Sequence, residues 1–93
     1  MRFMQEERGE PRYSHAERYT DLGLTIAAFR KKKRMSQEKL GFLTGLDRST
    51  ISRIETNQGG KGVELETLFN ISDALGIEPS ELLKIRYEYP PCP

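Results

Sequence analysis

The sequence has one cysteine, one histidine and no long apolar run, and each shortage closes off a class of protein. A lone cysteine cannot build a disulfide framework within a chain, and one cysteine with one histidine cannot supply the clustered ligands of a zinc site. Cys92, flanked by Pro91 and Pro93, reads as a free surface thiol because no histidine lies near it in sequence to activate it. No apolar stretch approaches the roughly 18 residues that a membrane helix needs, and the first residues mix charges with Gly9 and Pro11 instead of forming a signal-peptide core. A cytoplasmic protein with no membrane partner is expected. Catalysis lacks its parts as well: Ser49 and Ser52 have no histidine near them, and no nucleophile, base and orienting group are assembled, so no enzyme, cofactor, metal or small-molecule effector is expected.

What is present is a lean, foldable composition. Of 93 residues, 35% are hydrophobic and 31% charged. A chain this short buries only about 60 to 65% of its unfolded surface, so dimerisation would help it. The net charge of +1 hides an uneven layout. Met1 to Phe29 holds 4 basic and 5 acidic residues, Arg30 to Lys61 holds 9 basic and 3 acidic, and Gly62 to Pro93 holds 2 basic and 6 acidic. A central basic block bracketed by acidic segments points to a polyanion facing one side of the fold.

Residues 1–20 show no sustained period and read as a partly flexible N-terminal extension, with a short helix around His15 to Tyr19 as an option. His15 itself reads as an exposed histidine, its functional alternative being a phosphate contact. Residues 21–85 form the expected domain. Leu22, Ile26 and Phe29 recur at helical spacing after Asp21, which suits the positive end of a helix dipole. Lys31, Lys32, Lys33 and Arg34 close that helix, either as a solvated terminus or as a phosphate grip. Ser36 caps a second helix from Gln37 to Thr44, with Leu40 and Leu43 as its apolar stripe. Gly41 inside it costs about 1 kcal/mol relative to alanine and marks a close helix contact. After Gly45, Asp47 caps a third helix from Arg48 to Thr56, whose Ile51 and Ile54 point one way and whose Arg48, Ser49, Ser52 and Arg53 point the other.

The run from Asn57 to Gly62 is a glycine-rich loop, a plain connector or a phosphate clamp through Lys61. A fourth helix is expected over Glu64 to Leu75 with Leu68, Ile71 and Leu75 buried and Leu65 flanking, and it stops at Gly76. Pro79 opens a short fifth helix through Leu82 and Leu83, with Ile85 as a possible extension. Residues 86–93 are a proline-rich tail in which Tyr87 and Tyr89 alternate with Arg86 and Glu88, a pattern that also suits an added strand.

Arg30, Ser36, Gln37, Leu40, Gly45, Leu46, Ser49, Ile51, Ser52, Ile54 and Glu55, followed by Glu66, Thr67, Leu68, Ile71, Ala74, Leu75, Gly76, Ile77 and Leu82, resemble the Cro and phage-repressor type of helix-turn-helix domain. The segment from Leu46 to Glu55 is also similar to that of restriction-modification controller proteins. The resemblance implies an all-α, compact five-helix bundle of the lambda-repressor kind, a homodimer, and a third helix entering the major groove of a palindromic double-stranded DNA operator. It further implies a phosphate or base-edge contact for Gln37 and a largely buried ion pair between Arg30 and Glu55. The chain departs from the family at Gly41, where alanine is common, and after Glu55, where Asn57 replaces an early glycine, a proline is missing and about two residues are inserted.

Arg48, Ser49, Ser52, Arg53 and Gln37 are therefore the candidate base readers, since Arg offers a bidentate donor fork and Ser donates or accepts. Lys31, Lys32, Lys33, Arg34, Ser36, Lys39, Thr50 and Lys61 are the candidate phosphate contacts. The segment of Leu82, Leu83, Ile85, Tyr87 and Tyr89 is the candidate dimer surface, with Leu82 itself read as core rather than interface and Tyr87 and Tyr89 as either core or interface, a frayed terminus being their plain alternative. The rival expectation is a protein-interaction module, antitoxin-like or adaptor-like, with weak or no DNA binding.

Overall fold

The structure is a computed structural model and describes residues 15–84. The expectations placed on residues 1–14 and 85–93, including those on Ile85, Tyr87, Tyr89 and Cys92, lie outside the described residues. The described residues form an all-α bundle of five helices: α1 (Ala16–Lys32), α2 (Gln37–Thr44), α3 (Arg48–Thr56), α4 (Leu65–Leu75) and α5 (Pro79–Leu82). Among them, no helix is long and apolar enough to cross a membrane.

Chain punctuation sets the ends of the central helices. Ser36 Oγ accepts the backbone N–H of Lys39 at 2.9 Å and Asp47 Oδ1 accepts that of Thr50 at 2.8 Å, each satisfying one orphan donor of a helix start. α1 to α4 all end in one way: a residue at positive φ follows the helix, and the next backbone N–H reaches back across the last turn. Those residues are Arg34 (φ 55), Gly45 (φ 77), Asn57 (φ 54) and Gly76 (φ 70). The back-reaching bonds are Met35 to Arg30 at 3.0 Å, Leu46 to Gly41 at 2.8 Å, Gln58 to Arg53 at 3.0 Å and Ile77 to Ser72 at 3.0 Å. Three of the residues that donate them, Met35, Leu46 and Ile77, pack on the core, so the turn chemistry also feeds apolar side chains into it.

The core consists of Leu22, Ile26, Leu40, Ile51, Leu68, Ile71, Leu75 and Leu82, with Phe29 and Ile54 packed against it. Burying side chains of this size stabilises by about 1.5 to 3 kcal/mol each. α3 packs on both α1 and α2, α4 packs on α2 and α5, and α1 closes the bundle against α4 and α5.

The sequence expectations need four corrections. α1 begins at Ala16, not Asp21, so the optional short helix at His15 to Tyr19 and the expected first helix are one element. The stretch from Ala16 to Leu22 holds no Pro or Gly to stop it, and its first turns have tertiary anchors: Asn57 Nδ2 donates to Thr20 Oγ1 at 3.3 Å, and Tyr19 lies over Gly62. Asp21 consequently sits beyond the first turn, where Glu17 is the acidic residue that meets the dipole. Leu43 is exposed rather than part of the buried stripe, because Leu40 and Gly41 take the inward face of α2. α5 ends at Leu82, leaving Leu83 exposed.

Candidate nucleic-acid interface

α3 is nine residues long and two-sided. Ile51 and Glu55 are buried and Ile54 is packed on the core, while Arg48, Ser49 and Arg53 are exposed and Ser52 is half-buried. Two close approaches hold its inner side. A Cβ on Gly23 would stand 2.6 Å from the carbonyl oxygens of Ile54 and Glu55, so only glycine lets α1 lie this close to the end of α3. A Cβ on Gly41 would stand 2.4 Å from the Leu46 carbonyl oxygen, so α2 is pressed against the turn that leads into α3.

Below the outer face lies a polar network. The Arg30 guanidinium donates to Glu55 through Nε at 2.6 Å and Nη2 at 3.0 Å, and through Nη1 to the Met35 carbonyl at 2.8 Å. Gln37 Nε2 donates to Glu55 Oε1 at 2.9 Å, and Arg48 Nη1 donates to Gln37 Oε1 over a long 3.4 Å. A buried carboxylate is thus satisfied by a guanidinium and an amide, as a charge in low dielectric must be.

At the start of α3, the Ser49 hydroxyl donates to Asp47 Oδ1 at 3.0 Å, which leaves its lone pairs to face solvent. The Thr50 hydroxyl, the Thr50 backbone N–H and the Ser49 hydroxyl together hold the Asp47 carboxyl below its ordinary value. Arg53 Nη2 lies 3.5 Å from Thr50 Oγ1.

Comparison with known proteins agrees with this arrangement. The helix-turn-helix family profile matches residues 26–82, from the middle of α1 to the end of α5. The chain belongs to that helix-turn-helix family. Control protein C.BamHI of Bacillus amyloliquefaciens is 48% identical over 52 residues, a match covering 56% of this chain and 62% of that protein, so the chain spans less than two thirds of that relative's length. The crystal structure of the restriction-modification controller protein C.AhdI from Aeromonas hydrophila is similar at 39% identity and a TM-score of 0.63, covering 69% of this chain and 94% of that one. The P22 c2 repressor, solved in complex with a synthetic operator, is similar at 35% identity and a TM-score of 0.59, covering 68% and 92%. The expected resemblance to the Cro and phage-repressor type, with its controller-protein branch, is thereby established, and the fold is that of the P22 repressor.

In helix-turn-helix terms, α2 and α3 are the tandem pair, and the candidate phosphate residues surround it unevenly. Lys31 and Lys32 lie in the last turn of α1 and are exposed, with Lys32 Nζ 5.9 Å from the centroid of the Phe29 ring. Arg34 is exposed at its left-handed cap position. Lys33 Nζ comes within 3.8 Å of where a Cβ on Gly76 would be, beside the carboxyl end of α4, whose negative dipole suits it. Ser36 is occupied as a cap but exposed, Lys39 is exposed with Nζ 6.0 Å from the Phe42 ring centroid, and Thr50 is half-buried. Lys61 is exposed on the glycine-rich loop, whose Gln58 and Gly62 line a shallow cleft with Thr50, Arg53 and Asn57.

Two features of the site were missing from the sequence reading. Gly23 carries the same signal as Gly41, a glycine inside a helical pattern, and is legible on that ground. The link from Gln37 to Glu55 joins residues on different helices and leaves no mark in the local pattern.

Proposed function

We propose that this protein is a sequence-specific regulator of transcription that binds double-stranded DNA as a homodimer, with α3 lying in the major groove of a palindromic operator. The observation that carries this reading is the two-sidedness of α3: its inner residues pack against α1 and α2, and its outer side carries Arg48, Ser49 and Arg53, all exposed, with Ser52 half-buried beside them, groups whose chemistry suits base edges. The helix is short, rigidly seated and cationic on its outer face, which is what entry between two phosphate ridges requires. Arg48, Ser49, Ser52, Arg53 and Gln37 read bases in this proposal. Lys31, Lys32, Arg34, Lys39 and Lys61, with the Ser36 and Thr50 hydroxyls, set the register on the backbone, and Lys33 joins them only where the end of α4 releases it. The membership of the helix-turn-helix family and the named relatives, a control protein, a controller protein and an operator-bound repressor, support the reading.

A homodimer is supported by apolar surface. α4 and α5 pack on each other, and Leu65, Phe69 and Leu83 remain exposed on or just after them. Leu65 and Phe69 are four apart and share a face of α4. The same observation favours a second role, contact with another protein, alongside DNA binding rather than in place of it. The protein acts in the cytoplasm in this proposal, without catalysis, cofactor or effector.

Selection of bound duplexes from a random-sequence pool tests the reading. It predicts enrichment of two inverted half-sites whose centres lie about one helical turn, roughly 34 Å, apart. A pool that stays unenriched after repeated rounds at low salt would overturn it.

A further inference from the structure

The polar network under α3 has a directionality that packing alone does not require. A carboxylate paired with a guanidinium accepts hydrogen bonds and donates none, so Glu55 forces Gln37 to turn its NH2 group inward. The amide oxygen of Gln37 must then face the other way, and there it accepts from Arg48 Nη1, the first residue of α3. Glu55 is buried, Gln37 half-buried and Arg48 exposed, so the chain of bonds runs from the interior to the outer face. Arg48 thus stands exposed at the surface with Nη1 on the Gln37 oxygen at 3.4 Å.

We infer that Glu55 is a positioning residue for DNA recognition, which holds the Gln37 amide in one orientation and through it aims the Arg48 guanidinium at a base pair. This rests on the DNA-reading proposed above and deepens it, since it assigns part of the sequence preference to a side chain that touches no DNA. A further consequence concerns Gln37. With one of its two N–H donors on Glu55 and one lone pair of its oxygen taken by Arg48, Gln37 keeps a single donor and a single acceptor site whose placement is tied to that of Arg48. Its contribution to preference is made jointly with Arg48, at the same base pair.

The test compares base preferences, by selection from a random duplex pool, for the wild-type protein and the E55Q, Q37M and R48A variants. In E55Q the neighbour of Gln37 can donate as well as accept, so the amide loses its fixed orientation. The expected result is that E55Q loses about tenfold in discrimination at the base pair that R48A blurs, while its affinity for mixed-sequence DNA at the same salt is unchanged. An E55Q protein that folds and keeps the wild-type preference overturns the inference, as does one that weakens on every sequence alike. Should E55Q not fold, the R30M/E55L double variant decides, because it removes the Glu55 carboxylate without stranding Arg30: a loss at the base pair that R48A and Q37M blur supports the inference, and a loss at a different pair, or none, overturns it. In the free protein the Gln37 side-chain amide protons should show slowed exchange in the wild type and R48A but not in E55Q. A wild-type protein that enriches no sequence overturns the DNA reading itself, and this inference with it.

Discussion

Arg30, in the last turn of α1, and Glu55, in the last turn of α3, form a bidentate ion pair with N···O distances of 2.6 and 3.0 Å and side chains only 10% and 5% exposed. The pair clamps the helix that precedes the tandem motif to the helix that ends it. Because both charges are desolvated, the loss of one strands the other. R30A or E55A should each lower unfolding stability by about 3 to 5 kcal/mol, measured by urea denaturation, whereas an apolar double replacement such as R30M/E55L should recover much of that loss. Single variants as stable as the wild type would show that water reaches the pair.

The division of labour between α3 and the basic run gives opposite signatures. R48A should blur the preferred operator, with a discrimination loss of about 1 to 3 kcal/mol at one base pair. K32A should weaken all sequences alike and reduce the slope of log K against log salt by about 1. Titrations of operator and non-operator duplexes across a salt series separate the two, and a reversed pattern would reassign both residues.

Asp47 should make the start of α3 sensitive to acid. Its carboxyl is held below the ordinary value of 3.8 chiefly by Thr50 and then Ser49, so the charged cap contributes stability that is present above that pH and is lost as the pH falls through the lowered value. D47N, which keeps a capping oxygen but does not titrate, should match the wild type near neutrality and lack its extra loss of Tm below about pH 4. D47A should melt lower than both at neutral pH. Parallel thermal melts from about pH 5 down to pH 2 check the prediction.

The close approach of α1 to α3 predicts that G23A is costly. A methyl group there would meet two carbonyl oxygens at 2.6 Å, and the helices must separate to admit it, at a cost of about 1 to 3 kcal/mol or more. G45A should also destabilise, by about 1 to 2 kcal/mol, for a different reason: nothing lies within 4 Å of the new Cβ, but φ is +77. Because Gly23 seats α3 and Gly45 only turns the chain, G23A should weaken operator binding beyond its effect on the folded fraction. Equal binding by the two variants at equal folded fraction would contradict this.

α2 and α3 were legible to the residue because their ends are written locally. Ser36 and Asp47 supply acceptors at the starts, and Gly45 and Asn57 supply the left-handed stops. The buried faces of α3 and α4 were legible from the recurrence of Ile51 and Ile54 and of Leu68, Ile71 and Leu75. What escaped is what depends on distant partners. α1 starts early because Tyr19 and Thr20 meet the loop after α3. Leu43 fits the helical period of α2 yet stays exposed, since that helix gives its inner face to Leu40 and Gly41. The Arg30–Glu55 pair was expected only from the family resemblance, because neither residue's neighbours announce its burial. The Gln37 amide, which joins that pair to Arg48, was not expected at all.

The most direct measurement of the central claim is photo-crosslinking from α3 itself. In a C92S background, a photoreactive group is attached to a cysteine placed by S49C or S52C, or by D73C on the exposed face of α4 as the control. With a duplex carrying the selected operator, the account predicts crosslinks from positions 49 and 52 to bases at defined places in each half-site, exposed on their major-groove edges, and none from position 73. Crosslinks from position 73 with none from 49 and 52 would contradict it, and α3 would no longer be the reading helix.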